Sequence, residues 1–123
     1  MVDDKTQIID LARALLDDRG AIVGQYTMNL FDETASFTDV PKPSDATYPE
    51  LVVSAALLEL FALRRGESAP HWTAQIGGLA SPRFLMGGYE KKYPYLADVW
   101  QSEAPEPLKR RNLFASAEFL EFC

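Results

Sequence analysis

Cysteine and histidine are almost missing from this chain, and their scarcity removes several kinds of chemistry at once. Among 123 residues stand one cysteine, Cys123, and one histidine, His71. A single thiol can form neither a disulfide framework nor a CxxC redox pair, and with one imidazole it falls short of a zinc ligand set. Such sparse cysteine fits a reducing compartment. Long apolar runs are lacking too: none reaches the roughly 20 residues needed to span a bilayer. The opening "MVDDKTQIID" has neither the basic flank nor the apolar core of a secretory signal. A cytoplasmic chain with no membrane partner is expected.

Positive charge is also short. Eighteen acids oppose 12 Lys and Arg, for a net charge of −6. The deficit lies in residues 1–50, where ten acids face Lys5, Arg13, Arg19 and Lys42; residues 51–123 balance at eight and eight. An acidic first half opposes non-specific binding to nucleic acid, while the second half leaves room for a local basic patch. What is present is ordinary for a globular protein: 47% hydrophobic and 24% charged residues. The length fits one domain over 1–123, with enough buried surface for a core of its own.

Hydrophobic spacing gives the elements. Ile8, Leu11, Ala12 and Leu15 recur at helical intervals, with Asp3 or Asp4 able to cap the start and Gly20 to end it. "GAIVGQYTMNLF" fits a helix or a strand, since Ile22, Tyr26 and Leu30 also fall on alternate positions. No convincing second strand is in sight, so helix is preferred. "DETASFTDVPKPSDAT" is a connector, because Pro41 and Pro43 forbid regular pairing.

"TYPELVVSAALLELFALRRG" carries the fullest set of boundary marks. Thr47 and Glu50 form a capping box, Pro49 sits in the first turn, Arg64 and Arg65 face the negative end, and Gly66 stops the helix. Its apolar residues point in almost every direction, which places residues 48–65 at the centre of a bundle. The Gly- and Pro-rich stretch that follows holds at most short helical turns. "YPYLADVWQSE" predicts a helix, "PEPLKRRNLF" a short helical turn begun at Pro105 or Pro107, and "SAEFLEF" a closing helix capped by Ser116. That closing helix would dock Phe119, Leu120 and Phe122. The predicted fold is all-α: a compact helical bundle around the 48–65 helix, with Gly/Pro-rich loops.

Chemical signatures are thin. His71 would need an orienting carboxylate and a nucleophile or water to catalyse anything, and the plain reading is a loop residue beside Trp72. Asp17–Asp18 and Asp32–Glu33 read as solvated charges at helix ends. Gly77–Gly78 and Gly87–Gly88 match no phosphate-binding motif and read as turns. Tyr89, Tyr93, Tyr95 and Trp100 interleave with Arg83, Lys91 and Lys92, and Lys109, Arg110 and Arg111 follow. Such mixtures bind single-stranded nucleic acid or anchor protein interfaces, although core packing accounts for many aromatics. The basic triplet itself suits a helix end, facing exposed carbonyls and the acidic first half.

Two stretches taken together point to a family. "LLELFALRRGESAPHWT" has a helix, a basic-Gly end and a Pro-x-Trp segment; "SEAPEPLKRRNLFASAEFLEF" has a Pro-led basic run, an aromatic and a closing segment. The pairing, over about residues 48–123, resembles an uncharacterised bacterial helical domain. That domain often follows a helix-turn-helix module in regulators encoded beside toxin-like nucleotidyltransferases. Residues 1–47 lack the set of short helices that such a DNA reader needs. The resemblance implies a partner-binding or antitoxin-like module, with Trp72, Arg110, Arg111 and Phe114 in the matching motifs.

The function expected from the sequence is therefore a non-enzymatic regulatory module that binds another protein, such as a toxin-like enzyme. Its partner-binding residues are expected among Trp72, Arg83, Lys91, Lys92, Trp100, Lys109, Arg110, Arg111 and Phe114, with no catalytic residue, metal or cofactor. A nucleic-acid-binding regulator using the basic second half is the alternative. A small-molecule-binding protein or enzyme centred on His71 comes third.

Overall fold

The computed structural model describes residues 6–121. Helices dominate it: α1 (Ile8–Leu16), α2 (Gly20–Glu33), α3 (Tyr48–Arg65), α4 (Tyr89–Lys92), α5 (Tyr95–Glu103) and α6 (Glu106–Lys109). Two short 3₁₀ turns, Phe37–Asp39 and His71–Gln75, interrupt the connectors. The predominantly all-α fold expected from the sequence is what forms. Among the described residues no helix is long and apolar enough to cross a membrane.

The central rod is α3. Residues from Val52 to Leu58 are all buried, and α1, α6 and both 3₁₀ turns pack on it. Its boundary chemistry is as the sequence indicates. Thr47 Oγ1 accepts the Glu50 N–H at 3.3 Å while the Glu50 carboxylate accepts the Thr47 N–H at 3.0 Å. At the other end Gly66 adopts φ 71°, a left-handed conformation that a side chain would strain.

The ambiguous second segment is helical, and its burial shows why. Val23, Thr27 and Leu30 are the buried positions of α2, at steps of four and three, so one helical face meets the core. Thr27 hides its hydroxyl by donating to the Val23 carbonyl at 2.9 Å. Phe31, Phe37 and Phe61 then close the core: Phe31 meets the other two rings edge-on at 5.2 and 4.9 Å between centroids, and Phe37 and Phe61 lie tilted at 5.7 Å.

Four expectations need correction. Asp3 and Asp4 lie outside the described residues, and the cap of α1 is Gln7, whose N–H donates to the Asp10 carboxylate at 2.8 Å. Gly20 does not end α1; it opens α2, and the left-handed residue between the helices is Asp18, at φ 55°. The closing segment forms turns rather than a helix among its described residues, although Phe119 still enters the core and Leu120 packs against it; Phe122 lies outside.

The fourth correction is a two-residue parallel strand pair. Strand β1 (Arg83–Phe84) aligns with β2 (Leu113–Phe114), Arg83 opposite Leu113 and Phe84 opposite Phe114. Neither segment is long enough to show a strand period. Flanking bonds extend the pairing: Leu79 N–H to Arg111 O at 3.0 Å, Arg83 N–H to Asn112 O at 2.8 Å, and Leu85 N–H to Phe114 O at 3.0 Å. These bonds lock the glycine-rich loop onto the chain after α6.

Candidate functional site

Three places gather chemistry-bearing side chains, and each grows out of the local sequence. The first is the surface of α4 and α5. A small second core of Trp100, Ala104 and Phe114, backed by Phe84, Met86 and Leu96, holds α5 against β1 and β2. Tyr95 and Val99, one helical turn apart, remain 65% and 37% exposed. Tyr89 and Tyr93, equally spaced on the preceding turn, are 58% and 42% exposed. The Tyr93 and Tyr95 rings meet edge to face at 6.4 Å, and the Lys92 ammonium lies 5.6 Å from the Tyr93 ring centre. Lys91 and Lys92 are exposed and form no ion pair among the described residues.

The second place surrounds Arg111. This side chain is 4% exposed and ties three parts of the fold together. It donates to both carboxylate oxygens of Glu59 on α3, at 2.5 and 2.9 Å, to the Thr73 carbonyl at 2.9 Å and to the Pro107 carbonyl at 3.2 Å. Arg110 also bonds Glu59. Burial pushes the Glu59 carboxyl up, but the hydrogen bonds and charges of Arg111 and Arg110 outweigh it, leaving its pKa below the ordinary 4.5. Beside this cluster opens a cavity of about 360 Å³, bounded by Glu59, Ala74, residues 76–78 and the two arginines.

The third is a cleft of about 540 Å³ between the start of α1, the end of α2 and connector residues 34–44. Ile8, Leu30, Phe37 and Leu58 line it with apolar surface, and Thr6, Thr34, Ser36 and Ser44 add hydroxyls. Its size is that of a small-molecule pocket. The connector that walls it is fixed from behind: Trp72 Nε1 donates to Val40 O at 2.9 Å, and Thr38 to Ser68 O.

The residues expected to bind a partner do not form one surface. Trp100 and Phe114 are 6% and 8% exposed and belong to the second core. Trp72 is half-buried, bonding the connector. Arg83 donates to the Leu16 carbonyl at the end of α1, at 2.6 Å. Lys109 donates to Ser102 O near the end of α5 at 3.1 Å, a carbonyl of the preceding helix and not of α6, whose end it was expected to face. Arg111 keeps one bond to the α6 carbonyl of Pro107, but it and Arg110 turn chiefly to Glu59, which stands in the charge-balanced half of the chain rather than the acidic one. His71 is exposed and lines neither cavity. Among the described residues no three His, Cys, Asp or Glu side chains group as a metal site.

Glu59 is the participant that the sequence reading missed. Its signal was a single charge inside the apolar run Leu57–Leu58–Glu59–Leu60–Phe61. A carboxylate there must be neutralised once the helix is buried. Comparison with protein-family models, with curated proteins and with solved structures finds no match to the chain.

Proposed function

We propose that this protein is a non-enzymatic regulatory module that binds another protein through the α4–α5 face. The observation carrying this reading is the tyrosine group: Tyr89, Tyr93, Tyr95 and Val99 stay exposed on a support that buries Trp100 and Phe114. Tyrosine is a strong interface anchor because it brings large area at small conformational cost. Lys91 and Lys92 beside it favour a partner surface with acidic residues around an apolar centre. The likeness of residues 48–123 to the bacterial regulator domain makes a toxin-like nucleotidyltransferase the first partner to test.

The nucleic-acid alternative draws less support. Of the six basic side chains it invokes, Arg110 and Arg111 bond Glu59, and Arg83 and Lys109 bond backbone carbonyls. Among the described residues, only Lys91 and Lys92 of that set form no such bond. A pair of lysines gives a small electrostatic footprint for a phosphate backbone.

The test is co-expression with any nucleotidyltransferase-like enzyme that a survey of the adjacent genes reveals. The expected result is a stable complex with reduced enzyme activity, weakened at least tenfold by Tyr89→Ser with Tyr95→Ser. Both tyrosines are exposed, so the variant keeps its fold. No complex and an uninhibited enzyme would count against the proposal; steeply salt-dependent binding to a single-stranded oligonucleotide would favour the alternative.

A further inference from the structure

We infer that the cavity between Gly77–Gly78 and the Arg110–Arg111 pair is a binding site for a small oxyanion, a phosphate or carboxylate group. This inference stands apart from the protein-binding face and does not depend on it. It begins with a buried donor. Arg111 spends its terminal nitrogens on Glu59, Thr73 and Pro107, but its Nε–H is buried and has no acceptor among the described residues. Buried polar groups are nearly always satisfied, so a cation that keeps an unspent donor leaves this cluster short of negative charge and favours an anion beside it.

Other donors border the same space. The Gly77 and Gly78 N–H groups donate no hydrogen bond among the described residues, although their neighbour Leu79 donates to Arg111 O. With no side chains at either position, these two amides can be approached closely, as in backbone anion cradles. Gly78 is also pressed against Arg111: a Cβ there would lie 2.7 Å from the Arg111 Cα. Arg110, 51% exposed, adds a second guanidinium with N–H groups to spare beyond its bond to Glu59.

Charge agrees with the donor count. Two guanidinium groups face one carboxylate, so the cluster carries one net positive charge. Glu59 repels an arriving anion, yet its two oxygens are already held by the arginines. A guest oxyanion would share Arg110 and take the free amides, with the closed-off Arg111 guanidinium behind it as a buried positive charge. The cavity, at about 360 Å³, has room for a phosphate or carboxylate carried on a larger molecule. The shared recognition chemistry is charge-assisted hydrogen bonding to oxyanion oxygens.

The experiment is a titration of the ¹⁵N-labelled full chain, followed by NMR, with inorganic phosphate in one arm and acetate in the other. Chloride holds the ionic strength constant. The expected result is saturable, concerted movement of the Gly77, Gly78 and Arg111 Nε–H signals in at least one arm. The arm that saturates at lower concentration identifies the preferred oxyanion. Arg110→Gln should weaken that binding about tenfold, because it removes an exposed charge-assisted donor without touching the core. Two outcomes overturn the inference: neither anion saturates these signals beyond the effect of chloride, or Arg110→Gln binds as tightly as the unaltered chain.

Discussion

Arg111 and Glu59, 52 residues apart, form a two-pronged ion pair between the chain after α6 and the middle of α3. The guanidinium side chain is 4% exposed and the carboxylate side chain 9%, so each would be costly to leave alone. Glu59→Gln keeps the shape and strands the buried cation. The expected loss is about 3 kcal/mol, within the range for breaking a buried pair. Glu59→Leu combined with Arg111→Met removes both charges and is expected to restore much of that stability. Urea denaturation of the three chains checks both outcomes. A single substitution costing nothing would show that water already reaches the pair.

The same pair gives a pH signature. The Glu59 carboxyl ionises more easily in the fold than in the unfolded chain, where its ordinary value is 4.5. Its stabilising contribution is thus complete above the unfolded value and is lost as pH falls through the lower, folded one. Two half-buried carboxyls share the direction: Glu50, through the Thr47 N–H and Arg13, and Glu67, through Arg65 and the Phe37 N–H. Stability should therefore drop on acidification below about 4.5, and in Glu59→Gln that drop should be shallower. Denaturant midpoints measured through the acid range test this; parallel curves would remove Glu59 from the account.

The sequence made α3 readable because local chemistry marked both of its ends and its apolar residues filled every direction. Thr47, Pro49, Glu50, Arg64, Arg65 and Gly66 need no distant partner to do their work. Helix α2 was harder, since Ile22, Tyr26, Met28 and Leu30 also fit a strand, and burial of Val23 and Thr27 was needed to decide. The β1–β2 pair could not be read at all: two residues carry no period, and its register comes from contacts about 30 positions apart. The arginine cluster was half legible. Lys109–Arg111 stood out as a charge run, but its partner is set by how α6 lies on α3, and that is a tertiary fact. Phe114 and Trp100 show the matching limit: an aromatic beside cations reads alike whether it faces solvent or core.

Gly78 holds its place for want of a side chain. An added Cβ would come within 2.7–2.9 Å of the Arg111 backbone, which is itself fixed by the Leu79 bond and by the buried ion pair. At Gly77 the nearest obstacle is the Tyr48 hydroxyl at 3.3 Å, the far end of an exposed side chain. Gly78→Ala is expected to cost about 2 kcal/mol through forced backbone shifts, and Gly77→Ala under about 0.5 kcal/mol. Thermal melts of the two variants give the comparison. Equal costs would mean that the loop can lift away from Arg111 freely.

Arg65 is the last turn of α3 put to a second use. Its guanidinium donates to the carbonyls of Phe31, Thr34 and Ala35 at 2.7–3.1 Å and to the Glu67 carboxylate at 2.7 Å, and it stacks 4.2 Å from the Phe37 ring centre. Glu67 in turn accepts the Phe37 N–H at 2.8 Å. One planar cation thus collects the carbonyls left over where α2 ends and fixes the start of the connector that walls the larger cleft. Lysine can offer neither the planar fork nor the flat stacking surface. Arg65→Lys is expected to cost about 2 kcal/mol, more than a surface substitution, because several carbonyls lose their donor together. Hydrogen exchange separates this from a general loss of stability. Amides of residues 34–40 should exchange faster under conditions where those of α3 remain protected, since the anchor is removed from the connector and not from the central helix.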